Sequence, residues 1–190
     1  VTTAAPPDTR ERILRATVDL IGREGVSAVT NRRIAAATNI SLGSLTYHYP
    51  SQVELLRDSL LLFVSDEVER LAAITVRLRR RRLSVEQVAA EVERIVGESS
   101  SRLQQLAEAE LHLRAARDPA LQEASRRCFE AYEGVAEAVL EMLSVPQADR
   151  HARAIVAVMY GLALRRLGTG EEEPSGVADA LLTIVRGATR

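Results

Sequence analysis

The sequence has no tryptophan, and aromatic residues make up only 3% of its 190 positions. A core so short of aromatic rings must be filled by Ala, Leu and Val, which favours closely packed helices over a β-sandwich. The single cysteine, Cys128, cannot form an internal disulfide, so a reducing compartment is expected. Lysine is absent. All 25 residues counted as Lys+Arg are arginine, so every cationic contact comes from a planar, bidentate donor. Long apolar runs are also missing: the longest, Ala154 to Leu164, is too short to span a bilayer. The amino-terminal stretch lacks the charged-then-apolar pattern of a secretory signal. A cytoplasmic protein with no membrane partner is expected. Disorder is excluded for most of the chain, because 46% of it is apolar.

What is present reads as a string of about nine helices and no strand. After a start containing Pro6 and Pro7, Asp8 or Thr9 can cap a first helix, whose stripe Ile13, Ala16/Thr17, Leu20/Ile21 has a helical period. Gly25 stops it. Thr30 caps a short second helix with Ile34 and Ala35 inward, and Ser41 opens a third that Pro50 ends. A long fourth helix follows the cap Ser51 and finishes in the arginine run 77–82, where cations suit the negative end of the helix dipole. Ser84 and Gln87 form a capping box for a fifth, which stops near Gly97 and the serines 99–101. The sixth ends at Arg117, and Asp118-Pro119 starts the seventh. Pro146 divides the seventh from the eighth, and an acidic loop, GTGEEEPSG, separates the eighth from the ninth. The fold class is all-α.

Residues 30–56 carry the functional information. Two short helices hold a helix-turn-helix when a small residue lies at their crossing, a residue tolerant of left-handed backbone lies in the turn, and apolar residues lock the pair. Ala35, Asn39, and Ile34, Ile40 and Leu45 meet these demands in turn. Such a pair can present its second helix to a major groove. Net charge is only −1, which excludes a polybasic coat, but its distribution is uneven. Between Arg10 and Gln52 six arginines face Glu11, Asp19 and Glu24, a balance of +3 that leaves −4 for the rest. An acidic body and a basic headpiece would orient docking on DNA.

Thr30, Ile34-Ala35, Asn39-Ile40-Ser41, Gly43, Leu45, Tyr47-His48-Tyr49 and Leu55-Leu56 together resemble the TetR family of bacterial transcription regulators. The resemblance covers about a quarter of the chain, with a weaker echo in ELHLRAARDPAL. It implies a three-helix headpiece over residues 8–52 and an effector-binding and dimerisation bundle over residues 53–190. Tyr47, His48 and Thr30 fall where the family contacts phosphates. By position, Leu42, Gly43 and Ser44 begin the recognition helix, with Ser41 as its cap, and Arg32 and Arg33 lie on the preceding helix's first turn. Two departures stand out: Thr46 replaces a common Tyr, and Gln52 a phosphate-contacting Lys. Both can still donate neutral hydrogen bonds to phosphate. Tyr49 is expected in the core.

In such proteins the C-terminal helices enclose a small-molecule pocket, and the last two form a dimeric four-helix bundle. Candidate pocket residues are Phe63, Leu106, Glu110, Leu113, Cys128, Tyr132, Met159 and Tyr160. The wide apolar surfaces of the last two helices suggest a two-fold interface of Ala152, Ile155, Val156, Met159, Leu162 and Ala163 with Val177, Ala178, Leu181, Leu182 and Val185. Glu110 interrupts the apolar stripe Leu103, Leu106/Ala107, Glu110, Leu113, and is either a ligand-recognising group or paired with Arg114 or Arg117. The arginine run is either a solvated helix end or an anion-binding patch. His48, His112 and His151 have no metal-ligand spacing, and no G-x-S-x-G elbow or phosphate loop occurs, so neither enzyme, metal nor cofactor is expected. The expected function is a homodimeric regulator, in the manner of a repressor, released from a palindromic operator on double-stranded DNA by a small, largely apolar effector. The alternative is a helical dimeric ligand- or protein-binding module with a weakened DNA headpiece.

Overall fold

The structure, a computed structural model, describes residues 8–81, 83–98, 101–171 and 176–188. Pro6, Pro7, Arg82, Ser99, Ser100 and residues 172–175 of the acidic loop lie outside these. The described residues form nine α-helices and no strand: α1 (Thr9–Glu24), α2 (Asn31–Thr38), α3 (Leu42–His48), α4 (Gln52–Arg79), α5 (Val85–Glu98), α6 (Arg102–Ala115), α7 (Pro119–Met142), α8 (Ala148–Thr169) and α9 (Val177–Ala188). A single 3-10 turn, Val26–Ala28, joins α1 to α2. Local chemistry sets most helix starts. The side-chain oxygens of Thr30, Ser41 and Ser51 accept from the backbone N–H three residues on, at 3.4, 3.0 and 3.1 Å. Reciprocal capping boxes open α5 (Ser84, Gln87) and α6 (Ser101, Gln104).

The chain divides into two compact units. The first joins the described residues up to Phe63 to Ser101–Ser125, and in it α6 packs on α1 and the 3-10 turn. Its core holds Ile13, Ile21, Ile34, Leu45, Tyr49 and Leu60. α6 approaches α1 most closely at Gly22, where a Cβ would stand 2.1 Å from the Leu103 carbonyl oxygen. Hydrogen is the only side chain that fits.

The expected α6 stripe is corrected. Its buried residues are Ala107, Leu111 and Ala115, spaced by four, while Leu113 is 65% exposed. Glu110 pairs with neither Arg114 nor Arg117. Its Oε2 accepts from the Val26 backbone N–H at 2.6 Å, at the start of the 3-10 turn, and Arg114 lies 3.8 Å from Asp118 instead. The carboxylate thus serves one of the orphan donors of a helical start.

The second unit takes the described residues of Val64–Ser100 and Arg126–Arg190. Ala89, Leu140, Val145, Ala152, Ile155, Leu181 and Val185 form its core, with Met159, Ala178 and Leu182 packed partly buried against it. This corrects the expected dimer surface. Ala152, Ile155, Val156, Val177, Leu181 and Val185 are buried inside the chain's own fold, which leaves them no area for a partner. Leu162 and Ala163 are half-buried, and the apolar face that α8 leaves uncovered runs through Ala154, Ala157, Val158, Gly161 and Leu164. Periodicity identifies an apolar stripe, but not whether a neighbouring helix or a second chain covers it.

Candidate nucleic-acid interface

The turn between α2 and α3 depends on Asn39, which sits in the left-handed region at φ 53°, ψ 47°. Among non-glycine residues Asn is one of the least penalised there. The chain then reverses tightly enough for Ile40 N–H to donate to Ala35 O at 3.1 Å. Ala35 is buried at the crossing, and Ile34 and Leu45 are fully enclosed.

Two arginines of α1 hold this pair in place. Arg12 donates to the Thr38 carbonyl, capping the end of α2. Arg10 Nε donates to the Tyr49 hydroxyl at 3.0 Å, its Nη2 reaches Asp58 at 2.8 Å, and its guanidinium lies 4.9 Å from the Tyr49 ring centroid. It thereby ties α1 to the end of α3 and to α4. Burial pushes the Tyr49 phenol above its ordinary pKa, with the nearby Arg10 pulling the other way. Neither arginine role is signalled by spacing in the chain, since each partner lies on another helix.

The helix α3 consequently presents its outer face to solvent. Leu42 is 53% exposed and Tyr47 85% exposed, an unusual amount for an aromatic ring. Tyr47 meets the half-buried His48 edge-on, with ring centroids 5.5 Å apart. Thr30, Arg32, Ser41 and Gly43 are also exposed, and Ser44 is half-buried.

Three expected DNA contacts have their donors engaged elsewhere. The Thr46 hydroxyl donates to Leu42 O at 2.8 Å. Gln52 Nε2 donates to Val29 O at 2.7 Å, bracing the start of α4 against the residue before Thr30. Arg33 forms a bidentate pair with Glu24, one arm of it 2.8 Å long. That pair holds the Glu24 carboxyl below the usual carboxylate range.

The headpiece arginines keep their +3 balance over residues 10–52, but most of them are paired within the fold. Arg15 pairs with Glu11, Arg23 with Asp19, Arg10 with Asp58 and Arg33 with Glu24. Arg12 is taken up by a carbonyl. Of the six headpiece arginines only Arg32 has no such partner among the described residues, although it is exposed on the first turn of α2.

The candidate effector residues divide between the two units. Phe63, Leu106, Glu110 and Leu113 belong to the first unit, and Cys128, Tyr132, Met159 and Tyr160 to the second. Phe63 and Cys128 are buried, and Leu106, Tyr132, Met159 and Tyr160 half-buried. Tyr160 meets Phe129 edge-on at 5.2 Å. Solvent-facing Leu113 and the backbone-bound Glu110 are withdrawn from the candidate lining. A polar cluster missed in the sequence lies on α6 and α7: His112 Nδ1 is 2.7 Å from Ser125 Oγ, and Nε2 is 3.8 Å from Glu108. The i, i+4 spacing of Glu108 and His112 was its only sequence signal.

A left-handed turn between two short helices, with an exposed second helix braced from behind, defines a helix-turn-helix DNA-binding protein. Residues 13–58 match the bacterial regulatory proteins of the tetR family, and residues 83–190 match the tetracyclin repressor-like C-terminal domain. The chain belongs to the TetR family of bacterial transcription regulators.

Solved structures agree along nearly the whole chain. SCO7518 of Streptomyces coelicolor A3(2), assigned as a transcriptional regulator, is 30% identical, with 97% of this chain and 100% of that one covered at a TM-score of 0.72. SCO1917 of Streptomyces coelicolor A3, a TetR family member, is 26% identical over 94% and 99% of the two chains, at 0.77. The multidrug-binding protein EbrR in complex with ethidium is 26% identical over 94% and 99%, at 0.75. A comparison with curated protein sequences gives no significant match. Among the described residues no helix is long and apolar enough to cross a membrane.

Proposed function

We propose that the protein is a cytoplasmic, non-enzymatic homodimeric repressor, with residues 8–52 reading a palindromic operator and residues 53–190 binding a small, largely apolar effector and a second copy. The observation that carries the reading is the exposed face of α3, held out by Asn39, Arg10 and Arg12. Leu42, Gly43 and Ser44 address base edges, while Thr30, Arg32, Tyr47 and His48 address phosphates. The half-sites would lie about 34–36 Å apart, one turn of DNA, as two-fold symmetry requires. The uncovered face of α8 supports self-association, with half-buried Leu162 and Ala163 on the same helix. Likeness to EbrR, which binds ethidium and malachite green, supports a flat, mainly apolar effector.

Release follows from how α6 is seated. Its carboxylate Glu110 holds the 3-10 turn that leads into the Thr30 cap, and its Leu103 backbone lies on Gly22. An effector that binds a shifted α6 more tightly moves the start of α2, and with it the reading face. Without that difference in affinity it would shift nothing.

The test is selection of bound genomic fragments at near-physiological salt, with Tyr47→Ala as control. Recovery of a palindrome that the control loses is expected. With Tyr47 in solvent, the substitution should leave folding and dimerisation intact while weakening binding about tenfold or more, the loss of one hydrogen bond to a charged group. The engagement of Thr46, Gln52 and Arg33 within the fold favours one second reading, a ligand- or protein-binding dimer with a weakened headpiece. No enrichment by either protein, prepared free of effector, would select it.

A further inference from the structure

The Glu24–Arg33 pair is in an odd place for a stabilising contact. Glu24 is the last residue of α1, where the helix dipole disfavours an anion, and Arg33 lies in the first turn of α2, where it disfavours a cation. Both side chains are in solvent, where an ion pair contributes little to stability. The geometry nevertheless fills the guanidinium's fork: Nη1 donates to Oε2 at 2.8 Å and Nη2 to Oε1. That fork is the arrangement by which arginine takes a carboxylate or a phosphate. Its neighbour Arg32 has no partner among the described residues. The start of α2 therefore holds two adjacent guanidiniums, one available and one already occupied by an anion of the same chain.

We propose that Glu24 is an intramolecular competitor for the DNA backbone, which holds Arg33 out of contact and so sets the affinity of the headpiece. The proposal rests on the DNA-binding reading above. With Glu24 in place, the cationic contact at the start of α2 is made by Arg32 alone. Without it, Arg33 becomes a second phosphate-binding cation one residue away. The device lowers affinity that is independent of sequence, since phosphate contacts position the protein while base edges specify the site. It leaves Leu42 to Ser44 to discriminate. The depressed pKa of the Glu24 carboxyl is consistent with a competitor that stays charged at neutral pH.

The experiment compares the full chain with Glu24→Gln and with the Glu24→Gln/Arg33→Gln double variant. Binding of a labelled random-sequence DNA duplex is followed by anisotropy over a range of salt. One additional phosphate contact steepens the slope of log affinity against log salt by about 0.9 per protomer, which at about 0.1 M salt is roughly eightfold tighter binding. Glu24→Gln should show both changes, and the double variant should lose them. Melting curves of all three proteins should coincide, because the pair is exposed. An unchanged slope in Glu24→Gln overturns the proposal. So does a steepening that survives in the double variant, which would make Glu24 a source of simple repulsion rather than a holder of Arg33. If the unaltered chain binds no duplex while Glu24→Gln does, the competition stands in its strongest form. Absence of binding by all three proteins defeats the DNA-binding reading itself, and the proposal with it.

Discussion

Replacing a glycine inside a helix by alanine normally stabilises a protein, because the unfolded chain loses freedom and the helix gains a better former, by about 1 kcal/mol. In this protein the same substitution should act with opposite sign at two sites. In α7, Gly134 is exposed, and a Cβ added there would meet nothing within 4 Å. Gly134→Ala should therefore stabilise by about 0.5–1 kcal/mol. In α1, Gly22 is buried, and its Cβ would lie 2.1, 2.7 and 3.0 Å from the O, C and Cα atoms of Leu103. A carbon–oxygen contact relaxes only near about 3.3 Å, so one helix would have to retreat by roughly 1 Å. The obstacle is backbone, which cannot rotate aside as a side chain would. Overpacking of this kind costs about 1–3 kcal/mol. Because it displaces a whole helix, the upper half of that range applies, and the propensity gain offsets only part of it. The net expectation for Gly22→Ala is a loss of about 1–2 kcal/mol, with melting lowered by about 2–4 °C for each kcal/mol. Urea and thermal denaturation followed by circular dichroism measure both variants. A Gly22→Ala protein as stable as the parent would refute the close seating of α6 on α1, and with it the proposed route from effector to headpiece.

Two further substitutions examine the headpiece. Glu110→Ala removes a charged acceptor from the Val26 N–H and should cost about 1.5 kcal/mol, whereas Glu110→Gln, which keeps an acceptor, should cost about 0.5 kcal/mol. Amide exchange of Val26 should be slow in the parent and fast in the alanine variant, and equal protection in both would contradict the assignment. Asn39→Gly should be tolerated, while Asn39→Ala, forced to the same φ of 53°, should lose about 1 kcal/mol by urea titration. Equal stability of these two variants would mean that the turn does not depend on left-handed backbone.

The reading face was legible in the sequence because its determinants are local. A cap acts over three residues, a left-handed turn over one, and a helical stripe over steps of three or four. Thr30, Ser41, Ser51 and Asn39 therefore do in the fold what their spacing announced. Tyr47, matched to an exposed position through the family resemblance, is in solvent, and Tyr49, expected in the core, is buried just past the end of α3. Local reasoning failed wherever a side chain had a choice of partners. Gln52 and Arg33 had the right chemistry for phosphate. The folded chain brings Val29 to one and Glu24 to the other.

By itself, then, the sequence determined the helix boundaries, the turn and the identity of the exposed recognition helix, since each is a property of neighbouring residues. Tertiary structure decided which polar groups remain available and which apolar stripes are interior. Glu110 meets Val26 across 84 positions, and Gln52 meets Val29 across 23. Ile155 and Leu181 come together only when α8 and α9 pack into one core. Hydrogen-bond capacity and apolar area are finite, and the arrangement of distant segments determines where each is spent.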